Sequence, residues 1–298
     1  MKKFEVLNRA LKKGDLGAKA VCWGLMQCGF SNDKIQALQI RNKNYCYLKK
    51  HYSDYLSTID YKRSSIKHEC NDIWICWFQG MENAPLLVKK CYESVKRNMP
   101  EKEIHVITSE NMFQYVDFPE WIIEKWKRGI ITNTHVSDLL RMELLIRYGG
   151  LWLDATVFLT GRIPEYVFKN EIFMYTHSNP DDITISYNNW LIFAYKENHL
   201  LKIMRDVMYE FWKRENKIRD YFLWHLFMTM VKEKSPDDFF NIAYVTDELP
   251  ETLARICFQQ KNDEFLAELG NMTPVHKLSN KFSVPENIEG TYYEWILC

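Results

Sequence analysis

The segment Ser137–Thr160, SDLLRMELLIRYGGLWLDATVFLT, decides how this chain folds. Leu140, Leu144 and their apolar neighbours recur at helical spacing, and Asp138 and Arg141, three apart, share one face of the predicted helix over 136–148. Thr134 is expected as its N-cap and Gly149 as its left-handed terminator. Gly149 and Gly150 then turn the chain into LWLDATVFL, read as one buried strand in which Asp154 is the sole charge. An unpaired buried carboxylate costs several kcal/mol, so Asp154 needs a cation, a set of donors or an exit into a cleft. The simpler alternatives are an exposed ion pair for Asp138 and Arg141 and a loop-anchoring role for Asp154.

Outward from this segment, NDIWICWFQG (71–80) carries a compact apolar run that reads as a buried strand ending near Trp77. PLLVKKCYESVKRNMP (85–100) is a helix opened by Pro85, EIHVIT (103–108) a second strand, and PEWIIEKWKRG (119–129) a further helix. Strand, helix, strand, helix predicts a βαβ unit in a mostly parallel sheet covered by helices, with ligands expected beyond the carboxyl ends of the strands. Further strands are expected in EIFMYT (171–176) and ITISYNNWLIFAY (183–195), and helices in 199–216 and 220–234. NMTPVHKLSNKFSVPEN (271–287) reads as a polar, turn-rich loop. Residues 1–68, with helical periodicity in 4–13 and 33–59 and no strand alternation, read as a helical N-terminal extension to a main domain over 69–298.

The composition sets limits on partners. With 39 basic and 39 acidic residues in 298, the chain lacks the basic excess of a nucleic-acid binder, so any anionic ligand must be met locally. The eight cysteines include no C-x-x-C pair and are expected as buried, reduced thiols. No signal peptide or membrane-spanning segment is read, and a cytoplasmic location is expected. AVCWGLMQCGF (20–30) is expected to pack on the main domain, with peripheral contact at the inner membrane face as the alternative.

The joined pattern SDLLRMELLIRYGGLWLDATV resembles the S-D-hh-R…Y-G-G-h-[YW]-h-D-x-[DT] signature of glycosyltransferases that carry a D-x-D motif. The strand IWICWFQGMENAP and the D-A-T variant are similar more narrowly to the bacterial capsular polysaccharide synthesis proteins, related to the family 32 sugar transferases. The likeness spans about 70–195, with a weaker echo at VHKLSNK. It implies a GT-A-like nucleotide-binding α/β fold with a mostly parallel, mixed central sheet. The implied activity is retaining hexosyl transfer from a nucleoside diphosphate sugar, a UDP-sugar, to a glycan or lipid-linked glycan acceptor.

Position by position, the resemblance gives Trp77 to the nucleotide base, Asp138 to hydroxyls of ribose or sugar, and Arg141 to the sugar or diphosphate. Asp154 matches the first acid of D-x-D, and Gly150 and Thr156 count among the donor-site positions. Asn189 and Trp190 match a polar-aromatic pair that follows the motif, and His276, Lys277 and Lys281 lie on a segment that would fold back over the cleft. A divalent cation, Mn²⁺ or Mg²⁺, is implied at Asp154, with Thr156 and His276 as further ligand candidates. Thr156 departs from the pattern, since a neutral hydroxyl replaces the second acid. Trp74 and His225 are expected in the core. Two other classes compete: a nucleotide-sugar-binding protein without catalysis, and a haloacid dehalogenase-type phosphatase using Asp154 as nucleophile.

Overall fold

A computed structural model describes residues 16–29 and 32–298, so the helical periodicity over 4–13 lies outside the described residues. The centre is a five-stranded sheet of β1 (Asp72–Cys76), β2 (Glu103–Ile107), β3 (Gly150–Asp154), β5 (Ile172–Thr176) and β6 (Tyr187–Ala194) in the order β2-β1-β3-β6-β5. β1 runs parallel to both β2 and β3, while β6 is antiparallel to β3 and β5 to β6. The sheet is mixed, with the expected βαβ unit at its parallel end: α3 (Leu86–Asn98) crosses from β1 to β2.

Strand alternation divides the core between the two faces of the sheet. Trp74 and Trp152 join the larger cluster with α5 (Asn133–Arg147), α6 (His199–Arg214) and α7 (Leu223–Lys234). Ile73, Ile75, Leu151 and Leu153 join the cluster on the opposite face. Helix α1 (Leu16–Gln27) packs on α2 (Asp33–Thr58), with Val21 and Trp23 exposed. Helix α2 sends Tyr45, Leu48, Tyr52 and Leu56 into the larger cluster and packs on α6 and α7. Residues on both sides of position 68 thus contribute to one cluster.

LWLDATVFL is not one strand. The chain turns at Ala155 and Thr156, and β4 (Val157–Leu159) leaves the main sheet to pair antiparallel with β7 (Val275–Lys277). That strand lies in the tail read as loop. Helices α8 (Glu248–Ile256), α9 (Asp263–Met272) and α10 (Tyr292–Leu297) surround it, and Phe158, Leu253, Leu269, Leu278 and Tyr292 form a third cluster. No helix among the described residues is long and apolar enough to cross a membrane. Cys28, Cys46, Cys70, Cys76, Cys91, Cys257 and Cys298 are free thiols; Cys28, Cys46 and Cys298 are exposed, contrary to the expectation of buried thiols.

Candidate active site at the carboxyl end of β3

Helix α5 begins at Asn133, not near Val136, and its N-cap is Thr132, which makes no side-chain capping bond; Thr134 is already helical. Gly149 has φ +71 and ends the helix as expected. Gly150, at φ +96, lies at the far end of β3 from Asp154, where an added Cβ would stand 2.6 Å from the Asp72 carbonyl oxygen. Its absent side chain lets β3 pack against β1, and it has no place in the cleft.

The cleft opens beyond the carboxyl ends of β1 and β3 and encloses about 280 Å³. Trp77, Arg141, Asp154, Thr156, Lys277 and Lys281 line it. Asp154 is held from two sides: Lys277 Nζ lies 3.1 Å from Oδ2, and Arg141 Nη1 lies 3.5 Å from Oδ1. Trp152 Nε1 also donates to Oδ1 at 3.1 Å. Burial works against the charge on Asp154, but Lys277 and then Arg141 outweigh it and hold the carboxyl below its usual range. Lys277 Nζ donates a second hydrogen bond to Thr156 Oγ1 at 2.6 Å.

Arg141 is only 4% exposed. Its guanidinium sits 4.8 Å from the Trp152 ring centre, donates to the Ser137 and Asn189 carbonyl oxygens, and pairs with Asp138 Oδ1 at 3.1 Å. Asp138 stands behind it, 3% exposed and outside the cleft lining, and accepts from Asn189 Nδ2 at 2.9 Å. Burial pushes the Asp138 carboxyl up to about 7, against Arg141 and the Asn189 bond, which favour its charge; ionised Asp154 adds to the rise. Cys76, also in the lining, is pushed up to about 12 by burial and stays a thiol, so it is no nucleophile near neutral pH.

Several expected site residues lie elsewhere. Trp190 stacks on Tyr175, ring centres 4.7 Å apart, in the cluster on the opposite face of the sheet. His276 is fully buried, with Nε2 3.1 Å from Thr160 Oγ1, and strand alternation turns it away from the side of β7 that presents Lys277. Trp74 and His225 are buried as expected, and Trp74 Nε1 donates to the Gly149 carbonyl oxygen. Among the cleft residues that the sequence pattern does not mark are two aromatics, Trp152 and Tyr221. Trp152 was accessible to sequence reasoning, since positions 152 and 154 share a face in any strand. Tyr221 reaches the cleft from the segment before α7, and no local signal marks it.

The donor set suits a divalent ion poorly. Both oxygens of Asp154 face cations or an indole donor, the next expected ligand is a hydroxyl already bonded to Lys277, and His276 does not reach the cleft. Among the described residues, the group close enough to share an ion is Asp72, Glu103 and His105, with ligand atoms within 4.8 Å of one another. It lies at the amino ends of β1 and β2, across the sheet from the cleft.

A family model described as capsular polysaccharide synthesis protein matches residues 27–296, and the chain belongs to that family. It is also similar to the O-glycosyltransferase braB of Annulohypoxylon truncatum, 33% identical over 97 residues that cover 30% of this chain and 23% of that protein. The glycosyltransferase afumC of Aspergillus fumigatus is 27% identical over 116 residues, 36% of this chain and 30% of that protein. The matched stretches thus span less than a third of either relative. Among solved structures, the PaToxG glycosyltransferase overlaps 67% of this chain and 80% of its own at 15% identity and a TM-score of 0.41. The glycosyltransferase GlyE of Streptococcus pneumoniae TIGR4, in its apo form, overlaps 78% of this chain and 61% of its own at 11% identity and a TM-score of 0.42.

Proposed function

We propose that this chain is a glycosyltransferase of GT-A type that moves a sugar from a UDP-sugar to a hydroxyl of a glycan or lipid-linked glycan acceptor in surface polysaccharide synthesis. The observation that carries the reading is the convergence of Arg141 and Lys277 on Asp154 at the carboxyl end of a parallel strand, in a cleft where Asp154 is the one carboxylate among the described lining residues. With Lys281 the lining carries three cations against one ionised acid, which favours a dianionic diphosphate. Trp77, half-buried at the mouth, offers a face for the base.

In this mechanism Arg141 and Lys277 bind the diphosphate and neutralise the charge that gathers on it as its bond to the anomeric carbon breaks. The acceptor oxygen bonds to that carbon while its proton passes to the departing phosphate oxygen. Asp154 accepts hydrogen bonds from donor hydroxyls, and Asp138 acts one step back by fixing Arg141. Retention of configuration is the outcome we propose: Asp154, the one acid among the described residues of the lining, is held below the usual carboxylate range between two cations and is a weak base.

A panel of UDP-sugars assayed for UDP release tests the proposal, with Asp154→Ala as the control. Turnover of one sugar that vanishes in the variant, with unchanged melting, is the expected result. Normal turnover by the variant would sink the site assignment, and donor binding without release under any condition would leave a nucleotide-sugar-binding protein.

A further inference from the structure

We infer that Lys277 takes the place of the divalent cation, so that the chain meets its diphosphate ligand with a built-in ammonium and needs no metal to bind it. The inference rests on the nucleotide-diphosphate reading above and deepens it. An ion such as Mg²⁺ takes about six oxygen ligands at about 2.1 Å in near-octahedral order. The two motif positions that would face such an ion are Asp154 and Thr156, and Lys277 Nζ already bridges them, 3.1 Å from Asp154 Oδ2 and 2.6 Å from Thr156 Oγ1. A metal entering there would have to displace the ammonium and also sit beside Arg141, 3.5 Å from the other carboxylate oxygen.

The lysine is placed by the backbone and not by chance of rotamer. Lys277 pairs with Val157 in the β4/β7 ladder, and the next residue continues it, Leu278 N–H donating to the Thr156 carbonyl oxygen at 2.9 Å. The side chain therefore starts directly beside the motif, and alternation along β7 sends it to the cleft while His276 goes to the core. The substitution of a hydroxyl for the second acid fits the same arrangement. An acid at 156 would call for a second positive charge, whereas Thr156 offers one lone pair to an ammonium that keeps a third donor for phosphate.

The test uses UDP as the probe, titrated calorimetrically into the full chain in EDTA and, separately, in MnCl₂. The wild type is expected to bind UDP with affinities that differ less than about threefold between the two. Lys277→Ala is expected to lose about tenfold or more in EDTA, the cost of one charge-assisted contact, and to recover part of it with Mn²⁺. Lys277→Arg, which keeps the charge, should retain metal-free binding and guards against a folding defect in the alanine variant. Wild-type binding that appears only with Mn²⁺, or Lys277→Ala binding as tightly as wild type in EDTA, would overturn the inference alone. Absence of UDP binding in both buffers would instead remove the nucleotide reading on which it stands.

Discussion

Asn189 in β6 donates through Nδ2 to Asp138 Oδ1 at 2.9 Å, while its own carbonyl oxygen accepts from Arg141. One strand residue thus holds both members of the helix pair, and the Arg141 guanidinium is aimed at the cleft by contacts made behind it. Asn189→Ala is expected to keep the carbonyl contact and lose the amide. Leaving a buried carboxylate short of one donor costs about 1–3 kcal/mol, to be read by chemical denaturation, and UDP affinity should fall as Arg141 loses its bracing.

Asp138 gives the protein a pH signature of definite sign. Its carboxyl is raised to about 7 in the folded state, above the 3.8 of an unburied Asp, so the folded chain holds the proton over a range where the unfolded chain has released it. This group's contribution to stability therefore falls as pH rises from about 4 to about 7 and levels off above. Asp138→Asn removes the titration. Melting temperatures of wild type and variant should converge toward acid pH and separate in the variant's favour toward pH 8, and parallel curves would refute the assignment.

His276 should behave as a core residue with the opposite pH trend. Burial pushes its imidazole down to about 4, so the neutral ring is what the fold accepts. Its stabilisation is present above the unfolded value of 6.5 and is lost as pH falls from there toward 4. His276→Leu is expected to remove that dependence while leaving UDP affinity unchanged in EDTA and in Mn²⁺. A metal ligand would show the reverse.

Gly150→Ala should be among the most damaging small substitutions. At φ +96 the backbone already disfavours a side chain, and the new methyl would meet a β1 carbonyl oxygen at 2.6 Å with only backbone to move. A loss of about 2 kcal/mol or more is expected from the strain and the displaced ladder, measured by denaturant midpoint. UDP affinity of the fraction that remains folded should be unchanged, because the site lies at the other end of β3.

The parallel half of the sheet was legible because its strands are continuous apolar runs bounded by turn residues, and α3, α5 and α7 because their apolar residues keep helical spacing. Arg141 and Asp154 were legible for a different reason: a charge in an apolar strand has to be explained. What escaped was set by partners far along the chain. Val157–Leu159 looked like the end of one long strand, and nothing local says that the chain turns at 155–156 to meet a strand near 276. In a loop His276 and Lys277 could both face the cleft, but in a strand two adjacent side chains cannot. Asn189 and Trp190 divided in the same way, the amide toward Asp138 and the indole into the opposite core.

The pairing of β4 with β7 also sets an order of events during synthesis. Every strand of the main sheet has been made by Ala194, but the ammonium that completes the cleft arrives with Lys277, 121 residues after the threonine it bonds. The strands of the central sheet are therefore all present well before Lys277 can reach Asp154 and Thr156, and the proposed diphosphate site is complete only with the docking of one short strand. Shape is acquired early and chemistry late.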